Sequence, residues 1–237
     1  MFSSILYIAF SVLDSFAVHS LVHKLYKLPM RRYKYHIFGC TVMIALISFL
    51  MRVKFEMQIW DLPVQYIIYL LFYRFVLKYR LHISAFIIGS GLSAYISLQM
   101  IIYYLISLSG VVTKSVILDT NGIGVYLIQL SSIGIALIIA GMLRRTEKGF
   151  SFVDEPPHDF IRRINYYEYR SILTIISACL SAVAIMLTLW LLIVSNYYGI
   201  LALSLATFGI AYYFSDREDY ERVRQLIETT GEEFKET

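Results

Sequence analysis

The segment Ile83–Leu108, ISAFIIGSGLSAYISLQMIIYYLISL, contains no charged residue and decides the fold class of this chain. The hydrocarbon core of a bilayer is about 30 Å thick, and a helix needs roughly 20 apolar residues to cross it. This segment exceeds that length, and its small residues Gly89 and Gly91 would let neighbouring helices approach closely. We therefore expect a membrane-spanning helix that belongs to a packed bundle.

Six further apolar segments are also predicted to span the membrane, although the second and the seventh span are short. They are Ser3–Val22, His36–Met51, Ile59–Leu77, Ile123–Leu143, Ile172–Val194 and Tyr198–Phe214. At 58% hydrophobic residues and a mean hydropathy of +0.65, the 237-residue chain carries more apolar surface than a soluble domain could bury. The sequence therefore predicts an all-α, polytopic transmembrane helix bundle with seven spans.

The lysine and arginine residues between these segments fall almost entirely on alternate loops. The other loops carry only Arg52, Lys54 and Lys114, and Arg74 lies inside the third span. By the positive-inside rule, the N-terminus lies outside the cell and the C-terminus lies in the cytoplasm. The net charge of +4 then faces anionic lipid, so it predicts a lipid bilayer as partner and no nucleic acid. We expect a multi-pass protein of the cell inner (plasma) membrane.

The chain divides into two regions of different composition. Residues 1–214 form the transmembrane domain, with a cytoplasmic loop at 144–170, and residues 215–237 form a charged tail with eight acidic and four basic residues. Ser215 is predicted to cap the tail helix, on which Tyr220 and Ile227 belong to one apolar stripe. The tail is either solvated or docks onto a cytoplasmic or membrane protein partner, and both alternatives stay open here.

Few ionisable side chains lie within predicted spans, and each one is a functional hypothesis by default. Asp14 lies near the middle of the first span, and Arg74 lies in the inner third of the third span. Their depths differ by roughly 7 Å at the rise of a helix, which an arginine side chain can bridge. We predict an intramembrane pair that either fixes helix packing or acts as a polar switch.

A second polar group lies at the predicted outer face. Arg52 ends the second span, Asp61 opens the third, and Gln65 follows one turn later, so these three residues predict an outer mouth. An extracellular peptide or a small ligand would enter there. Three further polar side chains are predicted to face the bundle interior, namely His19, Gln99 and Gln129.

Motifs of the common enzyme classes are absent from the sequence, which contains no HExxH, GxSxG, Walker or GxGxxG pattern. His19 and His23 have the i, i+4 spacing of a metal pair, but no second cluster supplies more ligands. Cys40 and Cys179 both lie in predicted spans and form no CxxC pair. We therefore expect no enzymatic activity, no metal and no cofactor.

The layout of the first hundred residues, from Leu6–Ala17 through Arg52, Asp61 and Gln65 to Leu71–Arg74, resembles a known family. It is similar to the membrane regions of Firmicute peptide-sensing histidine kinases of the accessory-gene-regulator type, and to small membrane proteins of similar layout. The resemblance implies a bundle that receives an extracellular peptide and a last helix that continues into a cytoplasmic module. The sequence contains no phosphoacceptor segment and no ATP-binding module, so autophosphorylation is not expected.

Three functions remain open from the sequence. The first is a non-enzymatic role in sensing or signal relay, with the outer mouth as input and the tail helix as output. The second is a small permease or an accessory subunit of a transporter, with Asp14, Arg74, Gln99 and Gln129 along a polar path. The third is a scaffold that binds another membrane protein.

Overall fold

The computed structural model describes residues 2–110, 122–153 and 169–236, and within these ranges every regular element is helical. Most of the predicted loop 144–170 lies outside the described residues. Short connections join most consecutive helices, which pack side by side and therefore run antiparallel. The α-helices are α1 (Phe2–Leu25), α2 (Lys34–Phe49), α3 (Gln58–Leu71), α4 (Leu81–Leu108), α5 (Ile123–Arg145), α6 (Tyr169–Ile193) and α7 (Tyr197–Glu236).

Five of these helices are long and apolar enough to cross a membrane. They are α1, α2 with its terminal turn, α4, α5 and the first part of α7, and together they are compatible with a multi-pass membrane protein. Helix α3 is shorter and carries Asp61 and Pro63. In the part of α6 whose side chains the structure describes, Ala178–Ile193 is an apolar stretch. The all-helical prediction is thus confirmed for the described residues. Within them five helices have the length and hydropathy of a span, and seven spans stay a prediction.

Helix α4 is the centre of the bundle, because it packs against α1, α3, α5, α6 and α7. Two glycines allow the closest of these contacts. A Cβ atom on Gly89 would lie 2.1 Å from the Cβ of Ser181 on α6, and one on Gly91 would lie 2.3 Å from Cγ2 of Val22 on α1. The predicted role of the small residues, close approach of neighbouring helices, follows directly from these distances.

Helices α2 and α3 each continue into a π-helical turn. The first turn spans Leu50–Lys54 and the second spans Phe72–Val76. Arg52 lies in the first and Arg74 in the second, so both arginines leave their helices from a widened turn. Short π-helical segments occur frequently at functional sites because they redirect a side chain without ending the helix.

The end of the bundle formed by residues 26–33, 77–80 and 146–153 carries many basic residues, and we call it the basic end; the opposite end is the far end. At the basic end, Phe150 N donates a hydrogen bond to Leu25 O at 2.7 Å. Ser151 donates from its N and its Oγ to Asp219 Oδ1 on α7, at 2.8 and 2.6 Å. We call the contact between Ser151 and Asp219 the latch. The latch ties this loop to α7, and the bond from Phe150 ties it to α1.

Helix α7 runs without interruption from the apolar region into the charged tail. The predicted cap at Ser215 is therefore wrong, because Ser215 lies inside the helix, is fully buried, and has its Oγ 3.5 Å from Tyr26 Oη. The charged region begins as a continuation of the seventh helix. The predicted stripe is on the surface, with Tyr220 71% and Ile227 67% exposed.

Candidate functional site

A cavity of about 230 Å³ lies between the helices, and residues from all seven of them line it. Its charged residues are Asp14 from α1, Arg52 from the first π-helical turn, and Asp61 from α3. Amide side chains complete the polar lining, among them Gln65 and Gln99. The structure thus brings the predicted outer mouth and part of the predicted polar interior into one site.

Asp61 is the best-connected polar side chain of this cavity. Its Oδ2 accepts hydrogen bonds from Ser48 Oγ at 3.0 Å, from Arg52 Nε at 2.5 Å and from Gln65 Nε2 at 3.0 Å. Gln65 reaches Asp61 because the two residues are one turn apart on α3. Asp61 is 0% exposed, and its Oδ1 has no hydrogen-bond partner within the part of the chain that the structure describes. A fully buried carboxylate with an unused acceptor is an uncommon arrangement in a relaxed core.

The hydroxyl groups of α1 and α2 extend this network. Tyr7 Oη lies 2.9 Å from Ser48 Oγ, and both residues line the cavity. Tyr7 and Ser48 therefore form the second layer around Asp61, and they connect the beginning of α1 to the end of α2. Because a buried hydroxyl that loses its partner costs about 1–3 kcal/mol, this contact also fixes the position of the Asp61 cluster.

Asp14 faces the same cavity but has other partners than the sequence predicts. Its Oδ1 accepts hydrogen bonds from the hydroxyl of Tyr95 and from Gln99 Nε2, the latter at 3.4 Å. Arg74 instead donates from Nη1 to the carbonyl oxygen of Tyr79 at 3.1 Å. The predicted pair of Asp14 and Arg74 is therefore wrong: among the described residues no ion pair joins them, and Arg74 is not part of the cavity lining.

His19 is interior, as predicted, but it lies outside the cavity. It is 0% exposed and packs against the rings of Tyr69, Phe72 and Tyr73, with centroid distances of 5.0, 5.4 and 6.0 Å. Neither ring nitrogen has a hydrogen-bond partner. Within the described residues, no group of three or more His, Cys, Asp or Glu side chains could hold a metal ion.

The aromatic residues around His19 separate the cavity from the basic end. Tyr69 and Tyr73 are almost completely buried, and Tyr69 Oη lies 2.8 Å from Ser15 Oγ at the cavity edge. Along α1, His19 and His23 follow Asp14 in the direction of the basic end, and Tyr73 Oη lies 3.0 Å from His23 Nδ1. This aromatic layer, defined by His19, Tyr69 and Tyr73, leaves the cavity in the half of the bundle nearer the far end.

Gln99 and Gln129 both line the cavity, from α4 and α5. Sequence reasoning missed Ser48 and Tyr95, although a signal for each was present. Ser48 precedes Arg52 by four residues and Tyr95 precedes Gln99 by four, so each shares a helix face with a residue that was predicted. Hydroxyl groups are too common in membrane helices to attract attention without that neighbour.

Comparison with known proteins adds no assignment, since no protein family, no curated protein and no solved structure matches this chain.

Proposed function

We propose that this protein is a non-enzymatic receptor of a bacterial plasma membrane, which binds a small ligand from the exterior and relays the binding event to its cytoplasmic face. The cavity around Asp61 and Asp14 carries this proposal, because it holds three charged side chains inside a mostly apolar bundle and combines residues of every helix. Its volume of about 230 Å³ is below that of a typical drug-sized pocket, which favours a small ligand over a whole peptide.

In this proposal the chain crosses the membrane seven times, with the N-terminus outside and the basic end in the cytoplasm. The alternation of basic loops supports that orientation. The cavity lies nearer the far end, so a ligand would enter from outside while the aromatic layer blocks passage to the cytoplasm. Helices α3 and α6 would cross as interior members of the bundle, in contact with other helices as well as lipid.

Two helices supply the proposed route for the relay. Helix α1 carries Asp14 at the cavity and Leu25 at the basic end, while α7 carries Ile200 at the cavity and Asp219 at the latch. A ligand that shifts α1 relative to α7 would change contacts at both ends, since packed helices move as rigid elements. The exposed stripe beyond Asp219 would then present the output to a cytoplasmic or membrane partner.

A crosslinking experiment tests the relay without knowledge of the ligand. The two native cysteines, Cys40 and Cys179, are free and would first be replaced by serine. Gln65→Cys then provides a thiol in the cavity. Ser151→Cys with Asp219→Cys provides a thiol pair at the latch, which added copper phenanthroline oxidises to a disulfide. We expect a membrane-impermeant maleimide added outside the cell to label position 65 and to change the yield of the latch disulfide by at least twofold.

Leu108→Cys is the matched control, because Leu108 is 84% exposed at the far end and does not line the cavity. Labelling there should leave the latch disulfide unchanged. If labelling at position 65 also leaves it unchanged, the receptor proposal fails. If position 65 is labelled only after the membrane is permeabilised, the proposed orientation fails.

A second candidate, a small permease, is favoured by the convergence of Asp14, Gln99 and Gln129 on one cavity. The structure would then represent a state closed toward the cytoplasm by the aromatic layer. A permease predicts that Asp14→Asn abolishes substrate flux into vesicles while assembly is retained. A receptor predicts no net flux in wild-type vesicles.

A further inference from the structure

The charges in the cavity do not balance. Among the described residues Arg52 is the one cation in the lining, and its Nε is 2.5 Å from Asp61 Oδ2. Asp14 accepts hydrogen bonds only from uncharged groups, the hydroxyl of Tyr95 and the amide of Gln99. With both carboxylates ionised, the site therefore carries one negative charge in excess, and an excess charge in a membrane interior is costly unless a cation joins it.

The hydrogen-bonding capacity of the two carboxylates is also only partly used. An ionised carboxylate accepts at about four positions. On Asp61 all three donors converge on Oδ2 and leave the buried Oδ1 without a partner. On Asp14 both donors reach Oδ1, and the carboxylate as a whole is only half-buried in the cavity wall. A group that donates several hydrogen bonds and carries a positive charge would complement both carboxylates.

The rest of the lining has a different character. Aliphatic side chains and tyrosine rings form the walls, among them Ile44, Leu92, Tyr95, Met100 and Tyr103. Tyrosine faces attract organic cations, and aliphatic walls suit a carbon skeleton. A bare metal ion would need several oxygen ligands and would leave these apolar walls without contacts.

We infer that the cavity binds a small organic ammonium ion, whose ammonium group donates hydrogen bonds to Asp14 and Asp61 while its carbon skeleton lies against the tyrosine and aliphatic walls. The volume of about 230 Å³ equals that of about eight liquid water molecules, which limits the ligand to a compact amine. This inference rests on the proposed function, because it names the ligand class of the same site.

Thermal unfolding of the full chain in lipid nanodiscs tests the inference with three probes of similar shape. The probes are phenethylammonium, the neutral 2-phenylethanol and the anionic 3-phenylpropionate, each at constant ionic strength. A ligand that binds only the folded state raises Tm in proportion to the logarithm of its concentration over Kd. We expect a saturable rise in Tm with phenethylammonium and no saturable rise with the other two.

Substitutions then assign the effect to Asp14. Asp14→Asn should weaken the apparent Kd for phenethylammonium by about tenfold or more, which corresponds to about 1.4 kcal/mol. Asp14→Glu keeps the charge and should retain binding, so it separates loss of charge from loss of folding. Asp216→Asn is the matched control on the exposed part of α7 and should bind as the wild type does.

Three results would overturn the inference. The first is an equal rise in Tm with all three probes, and the second is full binding of phenethylammonium by Asp14→Asn. The third is a rise in Tm that sodium chloride produces and choline chloride does not, and that is lost in Asp14→Asn. The last result would assign the site to a metal ion. None of these results bears on the latch crosslinks, so the inference can fail while the receptor proposal stands.

Discussion

At the scale of single residues, the bond between Arg52 and Asp61 should dominate the stability of the cavity. Arg52→Gln would leave the completely buried Asp61 carboxylate with only two uncharged donors. Removal of one member of a buried pair leaves a charge without compensation, so we expect a loss of about 3 kcal/mol in the free energy of unfolding. Denaturant titration in detergent micelles would measure this loss.

Arg217→Gln is the matched control, because Arg217 pairs with Glu221 on the surface of α7 at 3.1 Å. An exposed i, i+4 pair contributes under about 0.5 kcal/mol. The double variant Arg52→Gln with Asp61→Asn removes both charges and should recover more than half of the loss. Equal losses in Arg52→Gln and Arg217→Gln would show that burial of Asp61 does not govern the stability of the site.

The residue scale also shows why part of the site was predictable and part was not. Arg52, Asp61 and Gln65 lie close together in the sequence, around one short connection, so local spacing suffices to group them. The sequence predicts an ion pair between Asp14 and Arg74, because Arg74 is the only cation in the sequence at a similar predicted depth. The structure matches Asp14 with Tyr95, 81 positions away, since a hydroxyl satisfies a carboxylate without the desolvation of a second charge.

At the scale of elements, the contacts of α4 depend on the absence of side chains at two positions. Gly91→Ala would place a Cβ 2.3 Å from Val22 Cγ2, so α1 and α4 must separate or Val22 must change rotamer. Overpacking of this kind costs about 1–3 kcal/mol, and we expect a loss of that size in denaturant titration. Gly89→Ala should behave in the same way through Ser181 on α6.

Gly134 on α5 provides the control for this prediction, because nothing lies within 4 Å of a Cβ at that position. Gly134→Ala should be neutral or should stabilise the protein by up to about 1 kcal/mol, as alanine favours helix more than glycine does. A loss in Gly134→Ala as large as that in Gly91→Ala would mean that the destabilisation comes from glycine in the helix backbone and not from close packing.

The sequence did not predict that α7 continues without interruption into the charged tail. The change from apolar to charged residues at Ser215 predicts the start of a new helix there, because serine is a good N-cap. A cap requires that the preceding helix ends, and the residues that follow Ser215 are mostly strong helix formers. Composition marks where the environment of a helix changes, whereas a helix ends only where its backbone hydrogen bonds stop.

At the scale of the whole molecule, the number of spans depends on what surrounds each helix. Hydropathy identifies helices that face lipid, and five meet that criterion. Helix α3 contains Pro63 and the buried Asp61, which a helix tolerates when neighbouring helices provide the contacts. A span whose polar residues face a cavity therefore has a lower hydropathy than a span that faces only lipid. For this reason α3 does not meet a criterion based on length and composition.

Reporter fusions test the seven-span arrangement as a whole. A periplasmic-type phosphatase inserted after Lys114 should be active, because that connection between α4 and α5 is expected outside the cell. A fluorescent protein fused after Thr237 should be bright, because the end of α7 is expected in the cytoplasm, and a phosphatase at that position should be inactive. If α3 did not cross, α4 and α5 would be inverted relative to α1 and α2, and the phosphatase after Lys114 would be inactive. The cavity would then combine residues from opposite sides of the membrane, which its geometry does not allow, so an inactive insertion at Lys114 would contradict both the topology and the proposed external ligand site.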